Sequence, residues 1–254
     1  TKQVSFAHLP ALESLNCGCT VVGVAGVGCL PPSLRELRMR FNPLHISADF
    51  SHLRALQVLD CSGTSRFRML SAVTIASLPP SLVTLIIGYN SVDSSDWPPG
   101  GSLAHLNRLH KLRVTRTRID APALATFPPS LHYMDIELCT ISALGSFAHL
   151  HCLRRLVAQH VVLGDAVLAT LPPSLVSLDL QYAGVDGCLT LAAVFPHLPA
   201  LRVLNVSHTA IGDAAVASMP PGLEELHMVD CVNVTRSATL DHLVLQYTRR
   251  RRRD

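Results

Sequence analysis

One ten-residue phrase recurs five times and restricts what this chain can fold into more than any other feature. It reads LPPSLRELRM from Leu30, LPPSLVTLII from Leu78, FPPSLHYMDI from Phe127, LPPSLVSLDL from Leu171 and MPPGLEELHM from Met219. A second phrase alternates with it: FAHLPALESL from Phe6, FSHLRALQVL from Phe50, LAHLNRLHKL from Leu103, FAHLHCLRRL from Phe147 and FPHLPALRVL from Phe195. The leucines that open each LxxL are Leu12, Leu34, Leu56, Leu82, Leu109, Leu131, Leu153, Leu175, Leu201 and Leu223, separated by 22, 22, 26, 27, 22, 22, 22, 26 and 22 residues. A further marker, Leu245, opens a partial eleventh unit. A unit this short cannot bury a core alone, so the units must stack.

Within a unit, LxL has period two: Leu178 and Leu180 face one side of a strand, Asp179 and Gln181 the other. Strands stacked in this way predict a parallel sheet, and parallel neighbours need crossovers. Segments such as IDAPALATF (119–127) and IGDAAVASM (211–219) supply them, with Asp120 and Asp213 placed to cap short helices. Within 22 residues only a short or 3₁₀ helix fits. The paired prolines are expected to end that turn and deliver the chain in extended form to the next strand.

Each unit continues as LxxLxLxx(N/T/C)x(L/I/V), as in Leu82, Leu85, Ile87, Asn90 and Val92, or Leu201, Leu204, Val206, Thr209 and Ile211. Over residues 6 to 245 this pattern resembles the leucine-rich repeat family. The resemblance implies an α/β fold: a curved horseshoe solenoid with a parallel sheet on the concave face and short helices or 3₁₀ turns on the convex face. It implies one solenoid over 1–245, of ten units plus a partial eleventh, and then a basic tail, 246–254. It also implies a non-catalytic protein-protein interaction scaffold, a module within a larger protein or assembly. In the family the ninth-position side chain bonds to backbone groups leaving the sheet. Val161 and Ala183 cannot do so, and the seventh-to-eighth junction is expected to be the weakest.

Composition narrows the function classes. A net charge of +3 is too small to imply nucleic acid. An RNA- or ribonucleoprotein-associated structural subunit is the alternative, resting on the tail Arg249–Arg253 and on Lys111, Arg113, Arg116 and Arg118. The longest apolar run, about ten residues around 21–30, falls far short of the ~20 a membrane helix needs. Eight cysteines without a CxxC pair favour a reducing compartment, hence a cytoplasmic setting such as a cytoskeletal or ribonucleoprotein assembly.

The remaining candidates for chemistry read as parts of the repeat. His8, His52, His105, His149, His197 and His242 recur in the HL of the second phrase. Equivalent positions there lie two strand spacings, about 10 Å, apart, too far to share one metal ion. VVGVAGVGC (21–29) has GxxGxG order and reads as a glycine-rich crossover rather than a phosphate loop. Cys17, Cys61, Cys139 and Cys231 fall at inward or ladder positions and read as small core residues. No catalytic constellation, metal site or cofactor is expected. The candidate partner surface is the concave face of the fourth to sixth units: Tyr89, Arg113, Arg116, Tyr133, Asp135 and Glu137, with Trp97 at the rim as a contact or as cover for a gap in the stack.

Overall fold

The computed structural model describes residues 6, 8–20, 24–42, 48–63, 71–88, 95–161, 163–183, 195–231, 233–235 and 244–246. Among these, eleven strands form one parallel sheet. They are Ser14–Asn16, Glu36–Arg38, Val58–Asp60, Thr84–Ile86, Lys111–Arg113, Tyr133–Asp135, Arg155–Val157, Ser177–Asp179, Val203–Asn205, Glu225–His227 and Val244–Gln246. The register holds wherever the repeat length varies: Leu59 sits opposite Leu85, Leu85 opposite Leu112, and Leu178 opposite Leu204. A one-residue slip would turn these leucines to solvent, so their burial fixes the pairing. Leu245 sits opposite Leu226 and is thus the strand leucine of the eleventh unit and not its opening marker. Behind the sheet the marker leucines from Leu34 to Leu223 are buried, backed by Phe50, Phe127, Phe147 and Phe195. The architecture is the expected parallel-sheet solenoid.

The prolines act differently from the expectation. Leu34, Leu82, Leu131, Leu175 and Leu223 each donate their N–H to the first proline of their own phrase at 3.1 to 3.2 Å. Each PPSL is therefore a tight turn, with the second proline where its fixed φ suits the second turn position. The other phrase forms two turns in series: Leu53 donates to Phe50 and Leu56 to Leu53, each at 3.0 Å.

The serine of PPSL has a repeated task. Ser33, Ser81, Ser130 and Ser174 donate their hydroxyls to the carbonyls of Leu12, Leu56, Leu109 and Leu153, the marker leucines of the preceding units, at 2.7 to 2.9 Å. In the fifth copy glycine replaces serine. The Arg202 guanidinium takes over there, donating Nη1–H to the Leu201 carbonyl at 3.0 Å. A Cβ on Gly222 would lie 2.5 Å from that same nitrogen, so serine and the guanidinium compete for one space.

Short helices occupy crossovers that lead into PPSL, as in Ala72–Ala76, Ala121–Ala125 and Asp165–Leu168. Asp120 caps the second of these, accepting the Ala123 N–H at 2.8 Å. Asp213 is not a cap. It is the first residue of the helix Asp213–Ala217, and its carboxylate reaches the next unit, accepting the Thr235 N–H at 2.7 Å. Hydrogen bonds to Thr235 hold its pKa below the usual carboxylate value.

Ladder side chains join other neighbours. Asn42 Nδ2 donates to Cys17 O at 2.8 Å, while the Cys139 and Cys231 thiols donate to Val114 O and Val206 O at 3.2 and 3.1 Å. Val161 and Ala183 are instead buried, so apolar packing replaces the ladder bond between the seventh and eighth units.

These hand-overs set a stability prediction. Ser130→Ala orphans the Leu109 carbonyl and lowers the unfolding free energy by about 1 kcal/mol. Urea unfolding checks it, and an unchanged midpoint would contradict the role assigned to the serine.

Candidate binding face

The solvent side of the sheet is built from three rows, the third, fifth and seventh residues of each LxxLxL unit, because period two sends alternate side chains outward. A left-handed residue follows the seventh. Among the described residues, eight non-glycine residues there, including Phe41, Arg116, His160, Tyr182 and His208, hold φ between 54° and 58°. Such backbone costs about 1 kcal/mol per residue. It aims each N–H at the next unit: Arg116 donates to Glu137 O, His160 to Gln181 O and Tyr182 to Ser207 O, at 2.9 to 3.1 Å. The rings of His160, Tyr182 and His208 stack along this edge, with centroids 4.5 and 4.2 Å apart.

The fifth-row acids are engaged by the chain itself. Asp135 Oδ1 accepts the Glu137 N–H at 3.1 Å and Oδ2 accepts Arg113 Nε–H at 2.6 Å. Asp179 is bound in the same way by the Gln181 N–H and by Gln159 Nε2. These carboxylates close amides that leave the sheet, a task Asn16 and Asn205 share. The bond to Asp135 also raises the Arg113 pKa.

The structure thus redistributes the expected contact residues. Tyr89 lies outside the described residues. Trp97 is only 4% exposed, packs on Phe127 with ring centroids 5.3 Å apart and donates Nε1–H to Gly101 O at 2.8 Å. It covers a gap in the stack and is no rim contact: the 93–102 insertion adds the strand Ser95–Asp96 to a small second sheet, burying the indole. Asp135 is 1% exposed and turned to its internal donors, so it is not a free acid on the surface. Arg113 and Arg116 are exposed, and Tyr133 and Glu137 are half-buried.

Period two also carries a row that the sequence reading left out, the third. There Lys111, Tyr133 and Arg155 are aligned on adjacent strands. Lys111 Nζ lies 5.0 Å and Arg155 Cζ 5.7 Å from the centroid of the Tyr133 ring. Partial burial, followed by the charge of Asp135, raises the Tyr133 pKa and keeps its hydroxyl protonated. Beside this row stand His110, His132 and Arg154, all exposed, with the two imidazoles edge to face at 4.8 Å.

Two histidines of the second phrase face inward to the turns, whereas His8 and His197 are exposed. His105 and His149 bond through Nε2 to Leu78 O and Phe127 O at 3.0 and 3.1 Å. Burial lowers the His149 pKa. Among the described residues no group of three His, Cys, Asp or Glu is placed to hold a metal ion, and no helix is long and apolar enough to cross a membrane.

The family model described as Leucine Rich repeat matches residues 197–219. The repeats are leucine-rich repeats. The leucine-rich repeat domain of APL1B has the same fold, with a TM-score of 0.63 at 16% identity over 86% of this chain and 68% of that one. Internalin C2 from Listeria monocytogenes gives 0.55 at 22% identity over 76% and 80%. A chain of the Drosophila Toll–Spatzle complex gives 0.62 at 17% identity, over 90% of this leucine-rich repeat chain but 35% of that one. No curated protein sequence matches the chain.

Thiol chemistry tests the structural reading of the cysteines. Burial pushes the Cys61 and Cys139 thiols up to about 12, whereas Cys19 and Cys152 are exposed. Only a thiolate reacts quickly. At neutral pH, a maleimide followed by peptide mass spectrometry should modify Cys19 and Cys152 before Cys61 and Cys139. Early modification of Cys61 or Cys139 would contradict their place in the core.

Proposed function

We propose that this solenoid is a non-catalytic protein-interaction scaffold, a module of a larger protein or assembly that binds a protein partner on the open face of its sheet. One observation carries the reading: the third-row column Lys111, Tyr133 and Arg155, with Arg154 beside it. Its cations have no carboxylate partner among the described residues, while Arg40 and Arg113 on the same face are paired with Asp60 and Asp135. An aromatic ring held between exposed cations has the composition of an interface anchor. The centre of the surface is therefore the fifth to seventh units, with Arg113, Arg116 and Glu137 at its border. The Toll–Spatzle complex supports the class, since a neighbour of this fold is seen there with a protein partner. A reducing, cytoplasmic setting belongs to the same proposal and rests on the sequence, whose eight cysteines include no CxxC pair.

Affinity capture with quantitative mass spectrometry tests this. Lys111→Glu with Arg155→Glu should reduce the captured partner about tenfold, because like charges at an interface are strongly unfavourable. The control pair lies on the crossover side: Val73→Ser and Leu144→Ser, at positions 67% and 85% exposed, should leave capture unchanged. Loss with the control pair alone would put the partner on the wrong face for this reading.

A further inference from the structure

Taking the open sheet face as the binding surface, we infer that it receives an extended acidic segment of a protein. The segment lies across the strands, with carboxylates over Lys111, Arg154 and Arg155 and apolar side chains on either flank. The inference deepens the proposed function by naming the chemistry of the partner.

Charge is the first argument. In the second and third positions of the fifth to seventh units stand His110, Lys111, His132, Tyr133, Arg154 and Arg155, with no carboxylate among them. Towards the ends of the sheet the acids of these two rows are paired, either with a cation of the same row or with the fifth row. Arg35 lies 3.6 Å from Glu13, Arg38 2.5 Å from Glu36, Arg202 3.7 Å from Glu224 and His227 2.6 Å from Glu225. The chain thus neutralises its outer charges and leaves the central ones facing water. The fifth-row acids of the sixth and eighth units, Asp135 and Asp179, have both oxygens engaged. Lys111 and Arg155 flank one ring on adjacent strands, about two strand spacings or 10 Å apart. A carboxylate above Tyr133 meets both and relieves their repulsion.

The flanks are the second argument. On one side of the column Val58, Val83 and Ile86 are half-buried, and on the other Val157, Val176 and Val203 are half-buried too. The face therefore runs apolar, cationic, apolar. From Val58 to Val203 is six strand spacings, about 29 Å. An extended chain of about nine residues spans that distance. RNA fits less well, because a phosphate backbone carries charge along its whole length and would leave anions over the valines.

Selection of random peptides displayed on phage, using the purified full chain as bait, tests this. Wild-type protein should enrich peptides with Asp or Glu in the middle and apolar residues at the ends. Lys111→Glu with Arg155→Glu should shift the middle to Lys or Arg. Lys111→Gln with Arg155→Gln, a neutral pair at exposed positions, should abolish the acidic preference without reversing it. Wild-type peptides lacking an acidic excess would overturn the inference. If those peptides still lose binding on substitution of Tyr133, the open-face reading stands without it. If binding depends on Val73 and Leu144 instead, both readings fall. A parallel titration uses labelled polyuridine, and equal or tighter binding with the same Lys111 and Arg155 dependence would overturn the inference in favour of RNA.

Discussion

Carbonyls at the ends of these short parallel strands need donors from outside the strand, and the stack depends on side chains and neighbouring units supplying them. PPSL does this with a hydroxyl for the marker leucine, as Ser130 does for Leu109. The ladder position does it with an amide or a thiol, and the left-handed residue with its own N–H. Each group left unmet inside the protein would cost about 1 to 3 kcal/mol. Where serine is missing, the guanidinium of Arg202 fills the role, so the requirement is for a donor at that carbonyl rather than for one residue type.

The same hand-overs decide what the open face can offer a partner. Acids at the fifth row are drawn into closing amides, and Arg113 and Arg40 follow them into ion pairs. A face that looks mixed in charge by composition is therefore more basic at its centre, because its fifth-row acids already have partners. Fixed register then sets Lys111, Tyr133 and Arg155 side by side before any ligand arrives. Preorganised anchors of this kind lose little entropy on binding.

Much of this was legible in the sequence. The spacing of the leucines predicted strands, parallel order and buried rows, because a period of two and a period of 22 leave few ways to bury Leu37 or Leu156. Asp120 as a cap followed from its place before a helical segment. Other features depended on neighbours that spacing does not show. The bond from each PPSL serine to the preceding marker leucine, the bond from Asp213 to Thr235 and the burial of Trp97 are contacts between units, and one unit read alone contains only half of each. Asp135 was misplaced because an acid on an outward position looks exposed until the amide two residues on is seen to need it. The third row did have a signal: the residue before the strand leucine faces outward by the same alternation as the fifth and seventh.

Hydrogen–deuterium exchange of the chain, with and without the protein that the intact open face captures, tests the central claim most directly. The account predicts that the partner slows exchange in 110–116, 132–137 and 154–159, the strands and edges of the fifth to seventh units, and leaves the crossover helices at 72–76 and 121–125 unchanged. Protection confined to those helices, with the three strands unaltered, would contradict it.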